Sequence, residues 1–419
     1  MSLESGDGQG RSTSVAPKSQ GPLVGLRVLE LGQLIAGPFC GGMLAGFGAE
    51  VYKVEQPGSG DPLRNWRMVH DGTSVWWRQM SRNKSSVVVD LRREEGQTLI
   101  RDCVARGGVD IVIENFRPGR MASWGLGYEA LAALNPSLIM ASISGWGQDG
   151  PRAHLPGFAN VAESVAGLRY LTGEPGRPPV RSSVSLGDSI AGLHAAFGVL
   201  AAAHHREKTP GRPGQLVDVA LSESIFNMLE GILPEYDVFG AVRERSGSRL
   251  PGVAPTNTYP CAGEEWVVIG ANSDGMFRRL MREIGREDLA DAPDLQTNDG
   301  RVHRCEEIDT AIAAWTGDRT LGEVVDLLDA CGVAVGAIQN IAQIARDPQF
   351  EARGFFEQHE LEDGTALRMP SWVPRLSETP AETKWLGPQL GAHTEEFVRS
   401  VVGRSKDECA ALKASGVLG

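Results

Sequence analysis

The chain is short of what several function classes need. Its six cysteines, at positions 40, 103, 261, 305, 331 and 409, form no C-x-x-C pair. That spacing offers neither a zinc site nor a disulfide framework and reads as the reduced thiols of a cytoplasmic protein. Positive charge is scarce: 41 Lys plus Arg against 53 Asp plus Glu leave a net charge of -12, the wrong sign for a nucleic-acid surface. Long apolar runs are missing too. The most apolar stretch, Ile190–Ala203, is interrupted by His194 and is too short for a bilayer, so no membrane span is expected. Residues 1–21 are rich in Ser, Gly and Gln, lack the apolar core of a signal peptide, and are expected to form a disordered tail. There is no G-x-S-x-G, H-E-x-x-H or P-loop, and no histidine is spaced with other ligands as in a metal site.

What is present is material for folding. Of 419 residues, 41% are hydrophobic, enough for large cores and for more than one domain. Apolar, β-branched runs predict strands at Val24–Leu31, Glu50–Glu55, Ser85–Leu91, Asp110–Phe116, Leu138–Ile143, Val180–Leu186 and Leu216–Leu221. Helical spacing separates them at Pro38–Phe47, Glu94–Arg106, Tyr128–Leu134, Phe158–Leu171 and Ser189–His205. Runs such as VDIVIENF read as strands buried on both faces, and their alternation with helices predicts an α/β fold with a mostly parallel sheet. Residues 22–225 form the first part of this large domain and 226–250 a linker. Beyond the Gly/Pro-punctuated stretch Arg243–Pro255 the pattern changes to a hairpin and helices, a smaller α+β domain at 251–340. Residues 341–419 form a linker and a C-terminal segment with two short strands.

Three motifs carry chemistry. Gly145–Gly150 spells G-x-G-x-x-G after a strand, but His154-Leu155-Pro156-Gly157 follows at once and breaks the helix that a dinucleotide site would need. Ser81–Lys84 matches S-x-x-K without the companion motifs of a serine acyl-enzyme, and reads as a basic loop whose Arg82 and Lys84 can meet an anion. Ser185–Gly192 (SLGDSIAG) joins a predicted strand to an apolar helix. Asp188 there suits an N-cap, the reading that residue types alone favour. A carboxylate at the end of a parallel strand also faces the crevice where α/β sheets bind ligands, with helix amides beside it and Gly187 leaving room for a substrate.

From Val24 onward the sequence resembles the class III CoA-transferases, the group of formyl-CoA transferase and carnitine CoA-transferase (CaiB/BaiF). The matching pieces run in order: GLRVLELGQLIAGP at 25–38, GAEVYKVEQPGSGDPLR at 48–64, RNKSSVVVDL at 82–91, DIVIENFRPG at 110–119, SISGWGQDGP at 142–151, SLGDSIAG at 185–192, TNDGRVHR at 297–304 and LGAHTEE at 390–396. The resemblance implies a Rossmann-like large domain built from both ends of the chain, a smaller inserted domain, and an interlocked homodimer. It implies CoA transfer between carboxylic acids, with CoA and acyl-CoA as substrates and no tightly bound cofactor or metal. Asp188 takes the place of the nucleophile that forms an aspartyl-CoA thioester. Gln33, Leu34, Ala36, Asn115 and Phe116 match CoA contacts, with Arg82 and Lys84 near the adenine and phosphates, and Arg120 near enough to serve for the basic residue that Ser123 replaces. Gln56 and Ser123 stand where the family often has basic residues.

Arg64, Arg67, Arg169 and Arg181 are candidates to grip a distal carboxylate bidentately, which favours a dicarboxylate with succinyl-CoA as donor. Two alternatives belong to other classes. The α-methylacyl-CoA racemases of the same family use a His in a G-H-D motif, where this chain has Gly157-Phe158-Ala159 and so lacks one of the two bases. An acyl-CoA-binding protein without turnover would have no use for Asp188.

Overall fold

A computed structural model describes residues 21–419; the predicted tail, apart from Gly21, lies outside the described residues. The chain divides into two compact units. The first comprises residues up to Glu163, then Val184–Met228 and Trp372–Gly419; the second comprises Ser164–Ser183 and Leu229–Ser371. The excursion at 164–183 and the segment 341–371 therefore group with the second unit. The sequence reading had placed them in the large domain and the C-terminal return.

The first unit is built on six parallel strands: β1 (Arg27–Glu30), β2 (Glu50–Glu55), β3 (Lys84–Val88), β4 (Ile111–Glu114), β5 (Ile139–Ser144) and β6 (Leu216–Ala220). Their spatial order is 3-2-1-4-5-6, the doubly wound arrangement whose ligand crevice opens at the carboxyl ends of β1 and β4. Side chains alternate across the sheet. One set, including Leu29, Val54, Val87, Val112 and Met140, forms a core with Leu99, Ile100, Cys103 and Val104 of helix α2 (Glu94–Ala105). Phe397, Val398 and Val402 of the returning C-terminus complete it. That return is pinned by an antiparallel bridge between Val89 and Leu418.

The opposite set meets helix α1 (Ala36–Gly46) and helix α3 (Leu186–Lys208), and beneath α1 it carries charge. Glu30 pairs in register with Lys53, and both are fully buried together with Lys84. A Cβ on Gly41 of α1 would come within 1.9 Å of a Glu30 carboxylate oxygen, so glycine is what lets the helix lie over this layer.

Helix α3 is longer than the apolar stretch seen in the sequence. Its 23 residues are long and apolar enough to cross a membrane by length and composition. Ala191, Ala195, Ala196, Val199 and Ala202 are nonetheless buried within the fold. The strand predicted at Val180–Leu186 does not form. Pro178 and Pro179 remove donors just before it, and Val180–Val184 is exposed with no neighbouring strand to pair with. The helix predicted over Phe158–Leu171 breaks into Ala159–Val165 and Leu168–Leu171, divided by Gly167 at φ 96°.

In the second unit an antiparallel sheet joins β7 (Thr256–Pro260), β8 (Trp266–Gly270) and β9 (Ala334–Ala337) in the order 9-8-7. Helices α4 (Asp274–Glu283), α5 (Cys305–Gly317) and α6 (Leu321–Ala330) close a core around Tyr259, Phe277, Ile308 and Val324. Thr320 and Glu323 form a reciprocal capping box at the start of α6. A hairpin of β10 (Phe356–Glu360) and β11 (Ala366–Pro370) follows.

Candidate active site

The carboxyl ends of β1 and β4 are joined by side chains. Asn115, just after β4, accepts the Gln33 N–H at 2.7 Å and donates to the Gln33 carbonyl at 2.9 Å. Asn115 therefore grips the backbone of the loop between β1 and α1 rather than offering its amide to a ligand. Phe116 packs edge-on against Trp124, with centroids 5.3 Å apart. Arg120 is exposed, its guanidinium 5.6 Å from the Trp124 ring centre.

Asp188 is neither a cap nor at a strand end. Ser185 occupies the N-cap position, and Asp188 is the third helical residue of α3, half-buried in its first turn. The helix dipole and the first-turn N–H groups favour negative charge there. The preceding Gly187 is buried, and its N–H donates to the Glu163 carboxylate at 3.2 Å. A Cβ on Gly187 would meet Ile225 at 2.9 Å, so this turn is tightly seated.

The decisive packing is one turn further along. A Cβ on Gly192 would lie 2.7 Å from the Ala36 carbonyl oxygen and 3.0 Å from the Phe39 Cβ. Residues i and i+4 share one helix face, so Asp188 stands on the face of α3 that meets the first turn of α1. The sheet order and this glycine contact together bring Gln33, Leu34, Ala36, Asn115, Phe116 and Asp188 to one end of the first unit. A partly exposed carboxylate in the first turn of a helix suits a nucleophile whose reaction develops oxyanions.

Several predicted ligands turn inward instead. Lys84 has its ammonium 2.8 Å from Glu30 and donates to the Pro38 carbonyl at 2.7 Å. Burial and the neighbouring Lys53 hold its pKa below the ordinary lysine value, against the pull of Glu30. Arg82, also buried, lies 4.0 Å over the Trp372 ring and donates to the Gln79 carbonyl. Arg64 forms two bonds to Glu55, at 2.7 and 2.8 Å, and lies 3.8 Å over the Trp77 ring. All three cations are buried and brace the fold from within, each engaged by carboxylate or backbone oxygens of the chain itself. Arg67 is exposed, its guanidinium 4.8 Å over Trp76. Arg169 and Arg181 belong to the second unit.

Sequence reasoning passed over Lys53, Asp61 and Glu163. For Lys53 a signal existed: a lysine in the middle of the strand EVYKVE must find a buried carboxylate. Among the described residues no group of three or more His, Cys, Asp or Glu is placed to hold a metal. The G-x-G-x-x-G stretch is followed by turns rather than a helix, and Gln148 donates its N–H to Asp218 at 3.0 Å.

A doubly wound sheet whose Gly-rich stretch is followed by turns rather than a helix fits an acyl-transfer enzyme better than a dinucleotide-dependent one. Comparison with known proteins makes this specific. The sequence model of CoA-transferase family III matches residues 23–394, and the chain belongs to that family: it is a class III CoA-transferase. It is 45% identical to a succinyl-CoA–D-citramalate CoA-transferase of Chloroflexus aurantiacus, over 95% of this chain and 98% of that one. It is 40% identical to the alpha subunit of a succinyl-CoA–L-malate CoA-transferase of the same organism, over 97% and 95%. The crystal structure of a CaiB/BaiF family protein from Brucella suis superimposes with a TM-score of 0.79 at 32% identity, covering 91% of this chain and all of that one.

Proposed function

We propose that the protein moves CoA from succinyl-CoA to a dicarboxylic acid through a covalent intermediate on Asp188. The observation that supports this reading is the close contact of Gly192, one turn along α3 from Asp188, with Ala36 in the first turn of α1. The Asp188 carboxylate attacks the thioester carbonyl; the C–S bond breaks, leaving a mixed anhydride and the CoA thiolate. The thiolate then attacks the Asp188 carbonyl carbon of the anhydride, giving the aspartyl-CoA thioester and releasing succinate. The acceptor carboxylate attacks that thioester, and the same two steps in reverse yield the new acyl-CoA and free Asp188. Each exchange is close to thermoneutral, so the thioester energy is kept as long as water stays out. The N-terminal turns of α1 and α3 supply dipoles where the tetrahedral oxyanions form.

The dicarboxylate class is supported by the activities named for the D-citramalate and L-malate relatives. Arg67, exposed over Trp76, is the first candidate to hold the distal carboxylate; Arg169 and Arg181, in the second unit, are further candidates for separate test. Arg120 and Phe116 remain the proposed contacts for the nucleotide end of CoA. The interlocked homodimer implied by the family is supported by the outer face of α3, where Leu193, Phe197 and Leu200 are exposed, Phe197 by 72%. Unpaired thiols at all six cysteines suit a cytoplasmic enzyme.

The test is to mix the protein with succinyl-CoA and no acceptor, then search by mass spectrometry for CoA on Asp188. Asp188→Ala is expected to abolish both the adduct and exchange while CoA still binds. Near-normal transfer by that variant would falsify the mechanism.

A further inference from the structure

We propose that Asp61 is a positioning residue: anchored by Lys53, its carboxylate holds Leu34 in a left-handed backbone conformation and so fixes the loop that carries the first turn of α1 to Asp188. The inference rests on the reading of Asp188 and of the Gln33–Ala36 loop given above.

Leu34 has φ 63°, a region that a leucine avoids because its Cβ crowds the backbone. Something must hold it there. Both Asp61 oxygens accept the Leu34 N–H, at 3.1 and 3.2 Å, while one also accepts the Leu63 N–H at 2.9 Å. The Lys53 ammonium lies 2.8 Å from Asp61, and both side chains are buried. Burial opposes both charges, yet the pair sustains them: Lys53 is held above and Asp61 below its ordinary range.

The neighbouring residues are gripped as well. Lys53 donates to the Gly32 carbonyl, and Asn115 takes both backbone groups of Gln33. Asp61 is itself steadied where its N–H meets Glu55 at 2.9 Å, and Glu55 is braced by Arg64. Three consecutive loop residues are thus fixed by side chains from β2, from the residue after β4 and from the 56–65 segment, those of Lys53 and Asp61 buried. Surface loops are normally the mobile part of a fold. Here the loop's path decides where the N–H groups of the first turn of α1 point, and an oxyanion responds to errors of a fraction of an ångström in such donors.

A cycle of variants separates this role from plain structural support. Glycine adopts φ 63° without the Cβ penalty, so a loop with Leu34→Gly no longer needs Asp61 to hold it. The readout is the single-turnover rate of CoA adduct formation on Asp188 from succinyl-CoA, together with the KM for succinyl-CoA. Asp61→Asn is expected to lower the adduct rate about tenfold in the Leu34 background, the factor by which the left-handed state is disfavoured. KM should change far less, and in the Leu34→Gly background the same substitution should cost less than about half of the rate. An equal loss in both backgrounds, or a lowered melting temperature with an unchanged adduct rate, overturns the inference while the role of Asp188 stands. No adduct on the unsubstituted chain overturns the role of Asp188 and this inference with it. Should Asp61→Asn fail to fold, Asp61→Glu goes through the same cycle, since it keeps the charge for Lys53 but displaces the oxygens.

Discussion

Glu114, the last residue of β4, adjoins the Asn115 and Phe116 positions of the site and makes a prediction about pH. The residue is 3% exposed and lines a cavity of about 330 Å³ with Met121, Tyr128, Met140, Ser142 and Gln148. Burial pushes its carboxyl up to about 7; the Ser142 hydroxyl and the Phe116 N–H, which donates at 2.8 Å, oppose the shift, and Asp218 adds to it. In the unfolded chain the same group titrates near 4.5. Between those values the folded state holds the proton and the unfolded state has lost it, so stability falls as pH rises through that window. The full penalty, present above pH 7, is about 3 kcal/mol. Glu114→Gln keeps the shape and the acceptor oxygen but has no proton to lose. It should therefore match the parent at pH 4.5 and be the more stable at pH 8. In a unit of this size about 3 kcal/mol corresponds to a melting temperature roughly 6–12 °C higher. The assay is calorimetric melting of both proteins side by side at pH 4.5, 5.5, 6.5 and 8. A chain of two units need not melt in one step, so the growth of the difference with pH is what is read. A variant that is less stable by the same amount at every pH would refute the reasoning.

Two further outcomes follow from packing. Glycine inside a helix costs up to about 1 kcal/mol relative to alanine, so Gly192→Ala would stabilise α3 if space allowed. With the Ala36 oxygen at 2.7 Å from the added carbon, the sign should reverse: a net loss of about 1–2 kcal/mol, seen as a lower melting temperature, with a slower Asp188 adduct because the two helix ends are forced apart. If the exposed face of α3 is a subunit interface, light scattering should give twice the chain mass of 44.9 kDa. Phe197→Asp should then shift the population toward single chains, and a monomeric parent would remove that reading.

The sheet was legible because buried parallel strands write themselves as β-branched runs. VDIVIENF contains β4 and SLIMASIS contains β5. The failures have physical causes. VRSSVSL alternates like a strand, yet a strand needs a parallel or antiparallel neighbour along its length, and Val180–Val184 belongs to none of the sheets among the described residues. Ala334–Ala337 was missed because AVGA is too short and small to announce itself, and only its pairing with Trp266–Gly270 makes it a strand. At the site, SLGDSIAG pointed to Asp188, which the structure seats in the first turn of α3. The register that makes Gly192 the contact with α1 could not be read from one segment, since it depends on where α1 lies.

The inward-turned cations carry a more general lesson. A lysine or arginine beside a ligand-binding motif is naturally taken as a ligand, yet whether it faces outward is settled by carboxylates on neighbouring strands. Glu30 on β1 claims Lys84 of β3, and Glu55 on β2 claims Arg64; neither pairing is visible until the order 3-2-1 is known. Once it is, the two clusters form one continuous support. Arg64 braces Glu55, Glu55 receives the Asp61 N–H, and Asp61 holds Leu34, while Lys53 links Asp61 to Glu30. Buried ion pairs of this kind bring little net stability compared with apolar packing. What they supply is a rigid base under the loop between β1 and α1. On the proposed role of this loop beside Asp188, where catalysis depends on where fixed dipoles point, that rigidity is a use for buried charge which stability alone would not explain.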